Sequence, residues 1–297
     1  MAQDMLLLGG LVLDRYFSVT AWPRRGQDGY FSREETFVGG CAANMAVTIH
    51  NLGGQAHVVS CLGNDPAGET IRRYWASHGL SQRFLPTRRG ETGSCLVFSE
   101  PDGERTFLTR KGVELAFPPD LADQVAAARP AWVGVTGYYL LGEDRGRVLR
   151  TLSALREQGA GILFDPSPLV GDIPPAQREE MVSLAHLLTP NDSELAALGG
   201  PERIPQLTAA GKTVLWKQGS RGGLVCAPAG QFPYAPTPCT PVDTTGAGDS
   251  FSGGLLFSLA QGRPLDEAVR LAAWCAAQTV QVHGPHGFWQ REAGTPV

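Results

Sequence analysis

Short apolar runs alternate with amphipathic stretches along most of the chain. MLLLGG (5–10), HVVSCLG (57–63), AWVGVTG (131–137), GILFD (161–165), HLLTP (186–190) and TVLWKQG (213–219) read as strands. Between them lie helical periods. Over 143–158 Val148, Leu149, Leu152 and Leu155 recur at helical spacing before Gly159. Over 66–78 a leading Pro66 is followed by Ile71, Tyr74 and Trp75, with Gly79 as the stop. From Phe251 onward Phe251, Leu255, Leu256 and Leu259 mark a further helix. This alternation predicts right-handed crossovers and an α/β fold: a doubly wound, mostly parallel sheet with helices on both faces.

Two stretches break the pattern. Residues 14–38 and 90–112 are rich in β-formers and turn residues and lack a helical period, and PDGE at 101–104 is a turn between two short strands. They read as a small β-sheet inserted beyond the carboxyl ends of the main strands, where it would form a lid, or else as surface decoration. No internal repeat or low-complexity segment is present, and WQREAGTPV reads as a tail. The expected organisation is one domain over 1–297.

Composition narrows the function classes. The 42% hydrophobic and 18% charged content suits a globule with a sizeable core. The net charge is −4 and no dense Lys/Arg run occurs, which argues against nucleic acid or an anionic membrane as partner. No apolar run reaches the ~20 residues of a bilayer span. The start, MAQDMLLLGG, lacks a basic region and reads as a first buried strand, so a cytoplasmic location is expected. The six cysteines (41, 61, 95, 226, 239, 275) are scattered and read as reduced thiols.

Four glycine- or acid-marked segments carry candidate chemistry. In DTTGAGDSFSGG (243–254) a small-residue turn opens a helix, where free N–H groups and the helix dipole suit an anion. Asp249 stands in the first turn, placed to accept a proton from an attacking hydroxyl or simply to cap the helix. In VGGCAANMAVTIHNLGG (38–54) Gly39 and Gly40 precede a helix and Asn44 sits on its first turns, as a sugar-hydroxyl ligand or a cap. In TPNDSELAAL (189–198) Asn191 and Glu194 are stacked three apart, able to orient metal-bound water or to begin a helix. In KQGSRGGLV (217–225) a glycine-rich turn joins two strands and would run along a nucleotide or serve as a plain hairpin. AGKT (210–213) fails as a P-loop because Gln206 replaces the first glycine and a strand follows. HGPH (283–286) lacks a third metal ligand and reads as a turn.

Taken together and in order, these motifs resemble the ribokinase-like (PfkB) family of carbohydrate kinases, from about Met5 to Phe288. VGGCAANMAVTIHNLGG is similar to that family's N-terminal signature and DTTGAGDSFSGG to its C-terminal one; the strand before Asp14 and CLGNDPAGE (61–69) extend the match. The resemblance implies a ribokinase-like α/β fold and phosphoryl transfer from ATP to a hydroxymethyl group. It implies Asp249 as general base, with Gly246, Ala247 and Gly248 as the anion hole. Asp14, Gly39, Gly40 and Asn44 would bind substrate. Asn191 and Glu194 would support Mg²⁺ and phosphate, Glu194 through water. Lys217, Gly219 and Gly222 would lie along the nucleotide. Asp243 and the Thr245 carbonyl match a monovalent-cation (K⁺) site, although VQVHGPHGF does not align cleanly with the rest of it.

The substrate is less legible. FDPSPL (164–169) carries Ser167 and Leu169 where acid-sugar kinases of the family have Asn and Arg, and Cys41 and Ala42 follow the glycines where ribokinases have Lys-Gly. The expectation is a neutral small sugar or a nucleoside. Tyr16, Phe17 or Phe31 would stack on a base, and Arg105, Arg110 and Lys111, in or beside the second lid strand, would reach an anionic group or simply stay solvated. A non-catalytic sugar- or nucleotide-binding sensor is the rival of another class, and the apolar lid residues Tyr16, Phe17, Val19 and Trp22 would serve a homodimer through the lid or equally close over a monomer's own site.

Overall fold

The computed structural model describes residues 4–100 and 105–285. The expected PDGE turn, His286 and the tail lie outside them. Parallel strands β1 (Met5–Leu8), β4 (Ala56–Val59), β9 (Trp132–Thr136), β10 (Gly161–Asp165), β11 (Leu187–Leu188) and β12 (Thr213–Lys217) build the main sheet. They are extended by the antiparallel β13 (Gly223–Ala227) and β14 (Gly230–Tyr234). The order is β14-β13-β12-β11-β10-β9-β1-β4. Buried on both faces, the parallel strands β1, β4, β9, β10 and β11 read as continuous apolar runs instead of alternating ones.

Alternate residues feed two cores. Leu6 and Leu8 of β1 pack with Val148, Leu149, Leu152 and Leu155 of the helix Arg145–Glu157. Met5 and Leu7 pack on the other face with Met45, Ile49, Leu255 and Leu256. Those side chains come from helix α1 (Cys41–Asn51) and from the helix Ala247–Ala260, here α2, which lies beside α3 (Leu265–Thr279). The Gly-Gly of FSGG lets these helices close. A Cβ at Gly253 would stand 2.8 Å from Met45 O, and one at Gly254 2.7 Å from Cys275 Sγ.

The two non-helical stretches form one four-stranded sheet, as expected. β2 (Val12–Val19), β3 (Phe31–Gly39), β7 (Ser94–Ser99) and β8 (Arg105–Arg110) pair in the order β3-β2-β7-β8. Its crossings to the main body are glycine-marked, at Gly10, Gly39–Gly40, Gly93 and Gly112. Asp14 and Tyr16 are buried on one face; Arg15 and Phe17 alternate onto the other.

HVVSCLG differs from expectation. It is not one strand: β4 ends at Val59, and after Ser60–Cys61 the chain leaves the main sheet. There β5 (Leu62–Gly63) pairs with β6 (Thr87–Arg88) in a separate two-stranded sheet. Lys212 of the failed P-loop is buried and donates to the Ser183 and Ala185 carbonyls (2.7 and 2.9 Å), a structural tie at the foot of β12. No helix among the described residues is long and apolar enough to cross a membrane.

Candidate active site

The turn 243–248 bends into α2 through Gly246, whose φ of 78° is left-handed. A Cβ there would overlap the Pro285 carbonyl, so the sequence needs glycine at this point. Asp249 follows in the first turn of α2. Ala247 N–H donates to Thr244 O at 3.3 Å, and Gly246 and Gly248 stand at the start of α2, where the first amides have no helical acceptor. Gly248 faces Lys217: a Cβ there would lie 3.3 Å from Nζ.

Helix α1 brings the N-terminal signature to the same point. Gly40, with φ 103°, is its N-cap, and a Cβ would overlap the Gly10 carbonyl. Asn44, one turn in, donates from Nδ2 to Asp249 Oδ2 at 2.7 Å, 205 residues away in sequence. Its Oδ1 is buried and accepts nothing among the described residues. Behind this pair, Thr48 Oγ1 (3.0 Å) and Thr279 Oγ1 (2.7 Å) both reach Ser250 Oγ, which pins α1, α2 and α3 together. Asp14 arrives from β2, and a Cβ at Gly39 would overlap its carboxylate. Asp14, Gly39, Gly40, Asn44 and Asp249 thus lie together in the structure.

Sequence reasoning missed three residues. Asp165 ends β10 and is buried. Its Oδ2 accepts from Ser252 Oγ (2.8 Å), Lys217 Nζ (3.1 Å) and Thr189 Oγ1 (3.2 Å). The available signal was an acid at the carboxyl end of a central strand, where α/β folds gather ligands. Cys41, at the first position of α1, is buried deeply enough beside Asp249 that its thiol is pushed up by burial and by the Asp249 charge, and Tyr138 lies within the field of both.

Asn191 and Glu194 do not stack on a helix face. Asn191 is the N-cap of the helix Asp192–Ala197; its Oδ1 accepts Glu194 N–H, and Glu194 Oε2 accepts Asn191 N–H, both at 2.9 Å. This is a capping box. It leaves Glu194 buried and close enough to Asp165 and Asp249 to feel both. Gly219 and Gly222 form the β12–β13 turn, and Gly222 (φ 82°) lies against the Tyr234 carbonyl.

Electrostatically the site is over-supplied with carboxylates. Burial, then the Asp165 charge, raises Asp249; the Asn44 and Cys41 hydrogen bonds and Lys217 oppose this. Burial, then Asp165, pushes Glu194 up to about 7. Burial, then Asp249, pushes Asp14 up to about 7. Lys217 is held protonated by Asp165 and Glu194 against the cost of its own burial. Such a site suits added positive charge near the Asp249 turn.

The Asp14 shift has a thermodynamic sign. A carboxyl raised on folding stabilises the fold below its unfolded value of 3.8, and that contribution is lost as pH rises through about 7. Asp14→Asn is therefore expected to raise the Tm of the ligand-free protein at pH 8. A melt at or below that of the unsubstituted protein would contradict the assignment.

The model of the pfkB family carbohydrate kinases matches residues 4–290. An uncharacterised sugar kinase of Escherichia coli, YegV, is 32% identical over 299 residues, covering 95% of this chain and 90% of that protein. The nucleoside kinase of Burkholderia thailandensis in complex with inosine superposes with a TM-score of 0.81 at 20% identity, covering 95% of this chain and 91% of that one. Arabidopsis thaliana ribokinase complexed with ribose and ATP superposes with a TM-score of 0.78 at 24% identity, covering 96% and 94%.

Proposed function

The chain belongs to the pfkB family of carbohydrate kinases, and from that premise we propose that it transfers the γ-phosphoryl group of ATP to a hydroxymethyl group of a small neutral sugar, with Asp249 as general base. The observation that carries this is the meeting of Asp249, held by Asn44, with the anion-binding turn at Gly246–Gly248. Such transfer asks for positioning and charge stabilisation more than covalent chemistry. Asn44 leaves Asp249 one oxygen for the substrate hydroxyl. The Gly246 and Gly248 amides and Lys217 meet the charge that develops on the transferred group.

Mg²⁺ fits this site on charge. Glu194, Asp165 and Asp249 lie in one field with Lys217 as their shared counter-charge. Glu194, through water, and the Asn191 segment would hold the ion, which would neutralise phosphate charge. Asp243 fits a monovalent cation such as K⁺: its carboxylate is buried and takes the Thr245 and Gly284 amides at 2.8 and 3.1 Å. Asp243 and the Thr245 carbonyl would hold that ion.

Neutrality of the substrate rests on the lid. Three arginines of its strands and edge are turned to acidic partners: Arg15 to Glu34 (2.6 Å), Arg33 to Glu35 (2.7 Å) and Arg110 to Glu91 (2.8 Å). A sugar ranks above a nucleoside because the expected stacking residues are engaged. Tyr16 packs edge-on against Phe37 at 5.0 Å, and Phe17, on the face away from Asp14, packs with Phe31 (5.1 Å) and Phe98 (5.4 Å). A coupled ADP assay over pentoses, hexoses, sugar acids, phosphosugars and nucleosides, run in K⁺ and in tetramethylammonium, tests this reading. Turnover on phosphosugars alone would overturn it.

The outer face of the lid carries exposed Trp22, Phe31 and Leu108. We propose that a second copy covers it. Light scattering should show a dimer, and Phe31→Asp with Leu108→Asp should give a monomer. A monomeric unsubstituted protein would refute the interface.

A further inference from the structure

The segment 283–285, which the sequence presents as a plain turn, touches the lid, Asp243 and the anion-hole turn in succession. His283 Nε2 lies 2.7 Å from Glu35 Oε2 on β3; a carboxylate only accepts, so Nε2–H is the donor. The same ring stands edge-on to Tyr16 of β2 and Phe37 of β3, with centroids at 6.2 and 5.7 Å. Its other nitrogen, Nδ1, is 3.6 Å from Asp243 Oδ2. The next residue, Gly284, donates its N–H to that Oδ2 at 3.1 Å. Gly284 has φ 92°, and a Cβ would come within 2.7 Å of the Phe37 ring, so lid and segment are in close contact here as well. The third residue, Pro285, sets its carbonyl against Gly246. Asp243 closes the path by accepting Thr245 N–H on Oδ1 at 2.8 Å.

Resting on the kinase reading above, we infer that His283 is a positioning residue that couples lid strand β3 to the anion-hole turn. The covalent crossings between lid and main body lie at Gly10, Gly39–Gly40, Gly93 and Gly112. The 283–285 segment adds a non-covalent one: a hydrogen bond to a carboxylate, aromatic edges and an amide on the buried Asp243 carboxylate. A shift of Glu35 therefore moves the imidazole and Gly284, and through Asp243 the amide of Thr245. Lid position and the aim of the Gly246 and Gly248 donors change together. Closing the lid on a sugar would in this way complete the anion hole, and ATP without a sugar would meet an incomplete one.

The test uses the full chain with Glu35→Ala, His283→Ala, His283→Gln and the Glu35→Ala/His283→Ala pair. Hydrogen exchange is read first, without ligand. Removing Glu35, a lid side chain remote in sequence, is expected to speed exchange in peptides covering 243–250 by about tenfold. His283→Ala should do the same, the pair should do no more than His283→Ala, and His283→Gln, which keeps a donor toward Glu35, should recover part of the protection. In the assay on the best substrate the single variants should lose about tenfold in kcat with the KM for ATP unchanged. Unaltered exchange at 243–250 in Glu35→Ala, or independent additive effects in the pair, would overturn the coupling. Glu35→Ala carries the test if His283→Ala does not fold. Absence of turnover on every substrate in the unsubstituted protein would defeat the kinase reading alone, since the exchange measurement still decides the coupling.

Discussion

Asp249→Asn is expected to lower kcat by about 10³-fold while leaving ATP affinity within about twofold. The substitution keeps the shape of the side chain at the start of α2 and leaves the anion turn in place. It removes only the capacity to take a proton from the attacking hydroxyl. The same assignment sets the pH profile. Burial and the Asp165 charge hold Asp249 above the ordinary carboxylate range. A base must be ionised to act, so kcat/KM should fall as pH drops through that raised value, at higher pH than an isolated aspartate would give. The stability sign runs the other way. A raised carboxyl contributes stability below its unfolded value and loses it as pH rises, so Asp249→Asn should also melt higher at neutral pH. Rapid-quench turnover, nucleotide titration and thermal melts check the three parts. Turnover equal to that of the unsubstituted protein would remove Asp249 from the mechanism.

Much of this site could be read from the chain because its parts are local. The alternation of apolar runs and helical periods specifies the main sheet, and the loss of period over 14–38 and 90–112 specifies the lid. Gly40 and Gly246 stand where the backbone turns left-handed into a helix, a need that a sequence shows directly. What escaped was long-range. Asp165 is one acid at a strand end, and its meaning comes from Thr189, Lys217 and Ser252, which lie 24, 52 and 87 residues away. Asn191 and Glu194 were legible as a pair but not as a capping box, because a three-residue spacing serves both arrangements. The break at Ser60–Cys61 was hidden because an unbroken apolar run says that a segment is buried, not in which sheet. His283 looked inert because its partners sit on Glu35, Tyr16 and Phe37, more than 240 residues upstream.

Lys217→Met should produce the largest combined loss in stability and turnover, and the two can be separated. Lys217 Nζ is 3.1 Å from Asp165 Oδ2, with side-chain exposures of 13% and 7%. Removing one member of a buried pair leaves the other charge uncompensated, which costs about 3–5 kcal/mol in comparable cases. Chemical denaturation should show a loss of that order. Lys217 also lowers Glu194 and Asp249 toward their ionised forms, so without it both carboxyls rise further. The acid limb of kcat/KM should accordingly move to higher pH, and kcat should fall because the cation facing Gly248 no longer meets the phosphoryl charge. Adding Asp165→Asn separates the effects. The double variant no longer leaves the Asp165 charge without its partner, and the Asn can still bond Ser252 and Thr189, so much of the lost stability should return. Its turnover should not return, because the ammonium is still missing from the anion turn. If turnover recovered together with stability, Lys217 would be a structural counter-ion to Asp165 with no part in the chemistry.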